Sequence, residues 1–232
     1  MLFCFFTIAC SSEKNRNNSD NKNSAITIPK VEKEISCKCF DGIGSRNGDT
    51  ANIVMNFSNG ESISLCGFVD KEMEEMIFSE FNIFECKTGK SLTQFDATQN
   101  CRIIEKKDTL IIKELEYLPI GKNWTWEFIQ IGEQIITTRD NKIFASKLSP
   151  KLEKFTIDDN DKKIFLNSLR KGTGHSKEWE LEIGKLESLS LLGNEKAKNI
   201  LENYEKFTGQ GTDGAVAETW KDAKATVDWL KK

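Results

Sequence analysis

The residue pattern of this chain changes once, at about residue 148, and that change sets the fold class. Before it, short runs such as ISCKCF, ESISLCGF and WTWEFIQI are rich in β-branched and aromatic residues and are separated by turn residues, which is typical of antiparallel strands. After it, apolar residues recur at helical spacing. The sequence therefore predicts an α+β fold. An antiparallel β-rich domain (a sandwich or open barrel) is expected over residues 31–147, followed by an antiparallel helical domain over residues 148–232.

One hairpin of the β-rich half has a register that the sequence can test. In ANIVMNF-SNG-ESISL, a three-residue turn at residues 58–60 pairs Met55 with Ile63. The next pair is then Ile53 with Leu65, so all four apolar side chains share one face. A two-residue turn would put the apolar residues of the two strands on opposite faces. Because register follows the buried face, we expect the three-residue turn, with its glycine in the left-handed conformation.

Four stretches of helical periodicity fill the C-terminal half, at residues 158–172, 176–193, 194–207 and 214–232. The second stretch places a stripe of apolar residues on one side, at Trp179, Ile183, Leu186 and Leu189. The connections are short, which favours antiparallel packing. In the β-rich half, residues 70–80 (DKEMEEMIFSE) are the one segment in which a helix is expected.

The first ten residues, MLFCFFTIAC, form a short apolar run that ends in Ala9 and Cys10. This segment resembles a bacterial lipoprotein signal peptide, in which an apolar stretch ends in a lipobox. Ile8, Ala9 and Cys10 match the lipobox, and Thr7 stands where leucine is usual. The resemblance implies that residues 1–9 are removed. It also implies that Cys10 becomes the mature N-terminus, with a diacylglycerol thioether and an acylated amine.

A polar segment follows the apolar one. Residues 11–24, SSEKNRNNSDNKNS, contain no apolar residue and cannot bury enough surface to offset the entropy of ordering. We therefore expect residues 10–30 to be a disordered tether that carries the lipid at Cys10. The predicted location is the cell envelope, most simply the outer membrane, with the folded part facing the periplasm or the exterior. No apolar run reaches the ~18–20 residues of a membrane-spanning helix, so the lipid is the expected membrane contact.

Five cysteines remain once the signal peptide and the lipid site are set aside: Cys37, Cys39, Cys66, Cys86 and Cys101. Export permits disulfides, and an odd number leaves at least one thiol unpaired. Cys86 and Cys101 flank a loop and are predicted to form one bridge. Cys66 is predicted to pair with Cys37 or Cys39. A zinc site is disfavoured, because Cys-x-Cys without a second cysteine pair does not match the usual ligand spacing.

Charge and motif content exclude several functions. The net charge of −3 and pI of about 5.5 argue against nucleic acid as a partner. A single histidine, His175, removes most histidine-based catalysis and metal binding. Residues 209–214 match G-x-G-x-x-G, but a predicted helix precedes them, where a dinucleotide site needs a strand. We expect no catalytic, cofactor-binding or metal site.

Two function classes remain. The first is a non-enzymatic envelope lipoprotein that binds another envelope or secreted protein, as immunity proteins against secreted toxins do. The alternative is an envelope hydrolase or carbohydrate-binding protein. There, Trp124 and Trp126 would share one face of the predicted strand WTWEFIQI and form a ligand platform with nearby acids such as Glu127. The same two tryptophans are also expected to fill a sheet core if no ligand uses them.

The anchor yields the first testable prediction. Replacing Cys10 by alanine removes the only thiol to which the lipid transferase could add in the lipobox, so the Cys10→Ala protein should stay unprocessed or leave the membrane fraction. Fractionation, together with the intact mass, measures both effects. A variant that fractionates and migrates like the wild type would show that Cys10 is not lipidated.

Overall fold

A computed structural model describes residues 37–70, 76–174 and 176–231 of the 232-residue chain. Ile35–Lys232 form one compact unit. The predicted lipid site Cys10, the tether and His175 lie outside the described residues. The expected change from strands to helices occurs between residues 150 and 159.

In the part of the chain that the structure describes, nine strands form one antiparallel sheet, followed by five helices, which confirms the predicted α+β class. The strand order is β1-β2-β3-β5-β6-β7-β8, with β4 paired to β3 and β9 paired to β7. The strands are β1 Ile53–Asn56, β2 Ser62–Asp70, β3 Ile77–Glu85, β4 Ser91–Phe95, β5 Asn100–Lys106, β6 Thr109–Pro119, β7 Trp126–Arg139, β8 Lys142–Ala145 and β9 Ser149–Pro150. The helix expected at residues 70–80 is wrong at both ends, because Asp70 belongs to β2 and residues 77–80 to β3.

The sheet curls around one apolar core. Met55 of β1, Ile63 of β2 and Ile136 of β7 belong to the same buried cluster, although β1 and β7 are far apart in the strand order. The turn after β1 also meets the turn between β5 and β6. There, Ser58 donates to Asp108 from its backbone N–H (2.7 Å) and from its hydroxyl (2.9 Å). The two ends of the sheet therefore face each other across the core.

The register of the first hairpin is confirmed. Met55 pairs with Ile63 and Ile53 pairs with Leu65. The turn is closed by the Gly60 N–H, which donates to the Phe57 carbonyl at 3.0 Å. Gly60 has φ +82°, the left-handed conformation that the three-residue turn requires. The buried face decided the register, as expected.

The helices are α1 Asp159–Ser168, α2 Trp179–Leu191, α3 Glu195–Glu202, α4 Tyr204–Thr208 and α5 Gly214–Trp229. The third predicted stretch is divided into α3 and α4 at Asn203. Ile183, Leu186 and Leu189 of α2 are fully buried, as their spacing predicts. Asp158 caps α1 by accepting from the backbone N–H groups of Asn160 and Asp161.

The helices also pack against the sheet. Leu118 of β6 and Ile129 of β7 share a core with Leu152, Phe155 and Trp229. Gly184 of α2 sits close to this strand pair, since a Cβ there would lie 3.0 Å from Pro119 and 3.1 Å from Trp126. Strands and helices therefore meet over a shared apolar core, and the prediction that residues 31–147 and 148–232 are separate domains stays a prediction.

Among the described residues, two disulfides join the segment before β1, at Cys37 and Cys39, to the sheet. Cys39 is bonded to Cys66, which is one of the two partners expected for Cys66. Cys37 is bonded to Cys86, and Cys101 is a buried free thiol, so the predicted Cys86–Cys101 bridge is wrong.

The length of β3 explains that error. Cys101 pairs with Phe78 near the start of β3, whereas Cys86 directly follows Glu85, the last residue of the strand. At ~3.3 Å per residue the two cysteines are held about 25 Å apart, and a disulfide spans at most ~7 Å between Cα atoms. The segment between them is not a simple loop, because it contains β4.

The connectivity is open to direct test. Peptide mapping of the non-reduced protein should find Cys37 joined to Cys86 and Cys39 joined to Cys66. Cys101 should react with a thiol reagent only after denaturation. Replacing Cys39 and Cys66 together by alanine should lower the free energy of unfolding by about 3 kcal/mol, because the unfolded chain regains a loop that the bridge constrains. A peptide in which Cys86 is joined to Cys101 would contradict the structure.

Candidate functional site

A cavity of about 250 Å³ lies where β6, the start of β7, α2 and α5 come together. Its polar lining is acidic, and an aromatic pair forms one wall. The residues that give it this character are Glu116, Tyr117, Trp126, Glu180, Glu187 and Asp222. Among the described residues that line it, none is basic.

Glu187 is the most constrained of these residues. It lies on α2 four residues after Ile183, so it shares the buried side of that helix. Its exposed fraction is 5%, and its Oε1 atom has no hydrogen-bond partner among the described residues. Burial raises the pKa of this carboxyl well above its ordinary value, and the nearby Glu116 and Asp222 raise that pKa further. A buried acid without a partner is costly.

Glu116 titrates near neutrality. Burial is the main cause that raises its pKa to about 7, with further contributions from the charges of Glu114 and Asp222. The pKa of Glu114 is also raised by burial, although Gln99 opposes that shift by donating from Nε2 to a Glu114 oxygen at 2.8 Å. Glu187, Glu116 and Glu114 therefore retain their protons at pH values where an exposed acid is ionised.

The aromatic wall is exposed enough to meet a ligand. Trp126 is 37% exposed and stacks on Tyr117, with 5.4 Å between ring centroids and an interplanar angle of 28°. Tyr117 in turn packs on Phe128, its partner across the β6–β7 ladder, at 4.8 Å. Aromatic faces beside carboxylates can bind a cation through the ring quadrupole and the negative charge together.

The two tryptophans of the predicted platform occupy different surroundings. Trp124 ends a 3₁₀ turn at Lys122–Trp124 and has φ +62°. The prediction that a strand runs through Trp124 is therefore wrong, and the observed strand β7 begins at Trp126. The Trp124 ring packs edge-on against Phe165 at 5.6 Å, with the Lys185 ammonium 5.1 Å from its centroid. Trp124 borders a separate cavity with those two side chains.

The other residues singled out in the sequence lie outside this cavity. Glu127, the acid expected beside the tryptophans, has its carboxylate next to Gly121. Residues 209–214 connect α4 to α5 with Gly209 in the left-handed conformation, as expected for a loop between helices.

No motif in the sequence marks the set of acids that the fold brings together. Glu116, Glu187 and Asp222 come from β6, α2 and α5. A signal for one of them was present, since Glu187 interrupts the apolar stripe of α2 directly after Leu186. Nothing local marks Glu116 or Asp222, because both become significant only when α2 and α5 pack on the sheet.

Within residues 37–70, 76–174 and 176–231, no group of three or more His, Cys, Asp or Glu side chains is arranged to hold a metal ion. In that same part of the chain, no helix is both long and apolar enough to cross a membrane.

Comparison of the chain with protein-family models, with curated proteins and with solved structures gave no match.

The raised carboxyl pKa values predict how stability depends on pH. An acid whose pKa is higher in the folded than in the unfolded protein binds more protons when folded, so stability falls as pH rises between the two values. The melting temperature should therefore fall as pH rises from about 4.5 towards and beyond 7, the raised pKa of Glu116. Replacing Glu187 by glutamine removes a buried titrating group, and should raise stability at pH 8 by about 1–3 kcal/mol and flatten the pH dependence.

The matched control is Glu105→Gln, at an exposed position of β5. It should leave both the melting temperature and its pH dependence close to those of the wild type. An unchanged pH dependence in the Glu187→Gln protein would show that this carboxyl is not held in its protonated form.

Proposed function

We propose that this chain is a lipid-anchored protein of the cell envelope that binds another protein without catalysing a reaction. The observation that carries the proposal is the cavity that holds the exposed Trp126 ring and the Glu187 Oε1 atom, for which the described residues supply no hydrogen-bond partner. A buried polar atom at the wall of a cavity, beside an accessible aromatic face, offers a ligand both a hydrogen-bonding group and apolar contact.

The anchor part of the proposal rests on the lipobox-like residues before Cys10 and on the polar tether after it. Each buried CH₂ of an acyl chain contributes ~0.8 kcal/mol of membrane affinity, so several chains on one cysteine hold a protein firmly. Two disulfides in the folded unit support an oxidising compartment outside the cytoplasm. The outer membrane is the proposed location, with the folded unit facing the periplasm or the exterior.

Cavity size favours a protein partner over a small-molecule ligand. Sites for drug-sized ligands occupy ~300–1,000 Å³, whereas this cavity has about 250 Å³. That volume suits one side chain of a larger partner, whose remaining contacts would fall on the surrounding surface. An immunity-type protein that neutralises a secreted toxin is one member of this class.

A carbohydrate ligand or an envelope hydrolase is the second candidate, and Trp126 is the observation that favours it. Its exposed ring, stacked on Tyr117, offers a flat apolar face of the kind on which a sugar can lie. A carboxyl with a pKa of about 7, as Glu116 has, also suits a general acid. Of the two tryptophans predicted to form a platform, Trp126 lines this cavity and Trp124 borders a different one.

A photo-crosslinking residue in place of Thr219, which lines the cavity on α5, tests the proposal in the native envelope. Irradiation should give a defined protein adduct, identified by mass spectrometry, and the adduct should be lost when Trp126 is also replaced by alanine. The same crosslinker at Glu105, on exposed β5, is the control and should not give that adduct. No protein adduct from Thr219, together with retention of the protein on a glycan array, would reject a protein partner and favour the carbohydrate candidate.

A further inference from the structure

We infer that the cavity receives the guanidinium group of an arginine side chain presented by the protein partner. This assignment names the chemistry of the ligand and rests on the proposed function. The charge of the lining, the buried Glu187 carboxyl, the aromatic residues and the small volume of the cavity support it.

The charge of the lining selects a cation. Four carboxyl side chains border the cavity, namely Glu116, Glu180, Glu187 and Asp222, and the described lining contains no Lys, Arg or His to balance them. An anionic ligand would be repelled. A neutral hydroxyl could donate a hydrogen bond but would leave the repulsion between the acids in place, whereas a positive charge removes it.

The buried carboxyl supplies the specific contact. Glu187 Oε1 has no hydrogen-bond partner among the described residues, and only 5% of the residue's surface is exposed. A carboxylate in such a place gains most from a charged donor, because hydrogen bonds between ionised groups are roughly twice as strong as neutral ones. The described residues offer no such donor in the cavity, so a ligand is the natural source.

The aromatic wall separates an organic cation from a metal ion, and a guanidinium from an ammonium. Metal ions are bound by sets of oxygen, nitrogen or sulfur ligands, and no such set is present in the described residues. Trp126, stacked on Tyr117, lines the cavity. The flat guanidinium group can stack on a ring and at the same time donate two parallel hydrogen bonds to a carboxylate, which the compact ammonium of lysine cannot.

The test measures the binding of small blocked amino acids to the full chain in detergent by titration calorimetry. The probe is Nα-acetyl-arginine N-methylamide, and its neutral counterpart is the same derivative of citrulline, which keeps the shape and removes the charge. The arginine probe should bind with a dissociation constant of about 1 mM or below, at least tenfold tighter than the citrulline probe. The matching lysine probe should bind several-fold more weakly than the arginine probe.

Variants locate the binding in this cavity. Glu187→Gln should weaken binding of the arginine probe at least tenfold, and since that variant is expected to be more stable than the wild type, a folding defect would not explain the loss. Trp126→Leu should also weaken it several-fold. Glu105→Gln, exposed on β5, should bind as the wild type does. Equal binding of the arginine and citrulline probes, or unchanged binding in Glu187→Gln, would overturn the inference.

Two further measurements distinguish free arginine from an arginine side chain of a partner, and distinguish failure of this inference from failure of the proposed function. Free arginine carries an α-ammonium and an α-carboxylate where a residue of a partner carries peptide groups. Tighter binding of free arginine than of the blocked probe would overturn the assignment to a partner's side chain. A protein adduct from the Thr219 crosslinker without binding of the arginine probe would overturn this inference and leave the proposed function standing. Absence of both would overturn both.

Discussion

The apolar contact between the helices and the β6–β7 pair is the constraint on which the site depends. Leu118 and Ile129 share a buried core with Phe155 and Trp229. Glycine permits the contact at two points: Gly184 of α2 faces Pro119 and Trp126, and a Cβ at Gly132 of β7 would lie 2.7 Å from the Trp229 ring. A Cβ at either position would require Pro119, Trp126 or Trp229 to shift within the shared core.

This docking carries an electrostatic cost. It places Glu187 inside the molecule and brings the charges of Glu116 and Asp222 to bear on it, so that its pKa rises. An apolar residue at position 187 would suit the α2 stripe better, because Ile183, Leu186 and Leu189 around it are all buried. Residues that lower stability without a structural benefit are expected where a protein binds or reacts. The position of Glu187 is therefore better explained by a ligand than by folding.

The free energy of such a site is linked to protons and to the ligand together. Protons reduce the repulsion among the carboxyl groups when the cavity is empty, and a cation would do so when it is filled. The exposed Trp126 ring and the small volume then restrict which cation fits.

Much of the fold follows from local rules that the sequence displays. Period-two and helical spacing indicate most of the strands and helices, and the need to bury one face sets the register of Met55 with Ile63. The capping of α1 by Asp158 is equally local. The bounds of β7 were less certain, because the left-handed backbone at Asn123 and Trp124 is not signalled by residue type.

Tertiary structure alone decided the rest. Cys86 is bonded to Cys37 and not to Cys101, because Cys86 and Cys101 lie at opposite ends of β3. The distance between them depends on strand length and pairing, and the spacing of cysteines in the sequence does not reveal it. Likewise, Glu116, Glu187 and Asp222 lie far apart in the chain and meet only where α2 and α5 pack on β6. The sequence by itself determined the class of the fold and the nature of its elements, since those depend on neighbours along the chain. The docking of the elements determined the site, since burial and charge depend on neighbours in space.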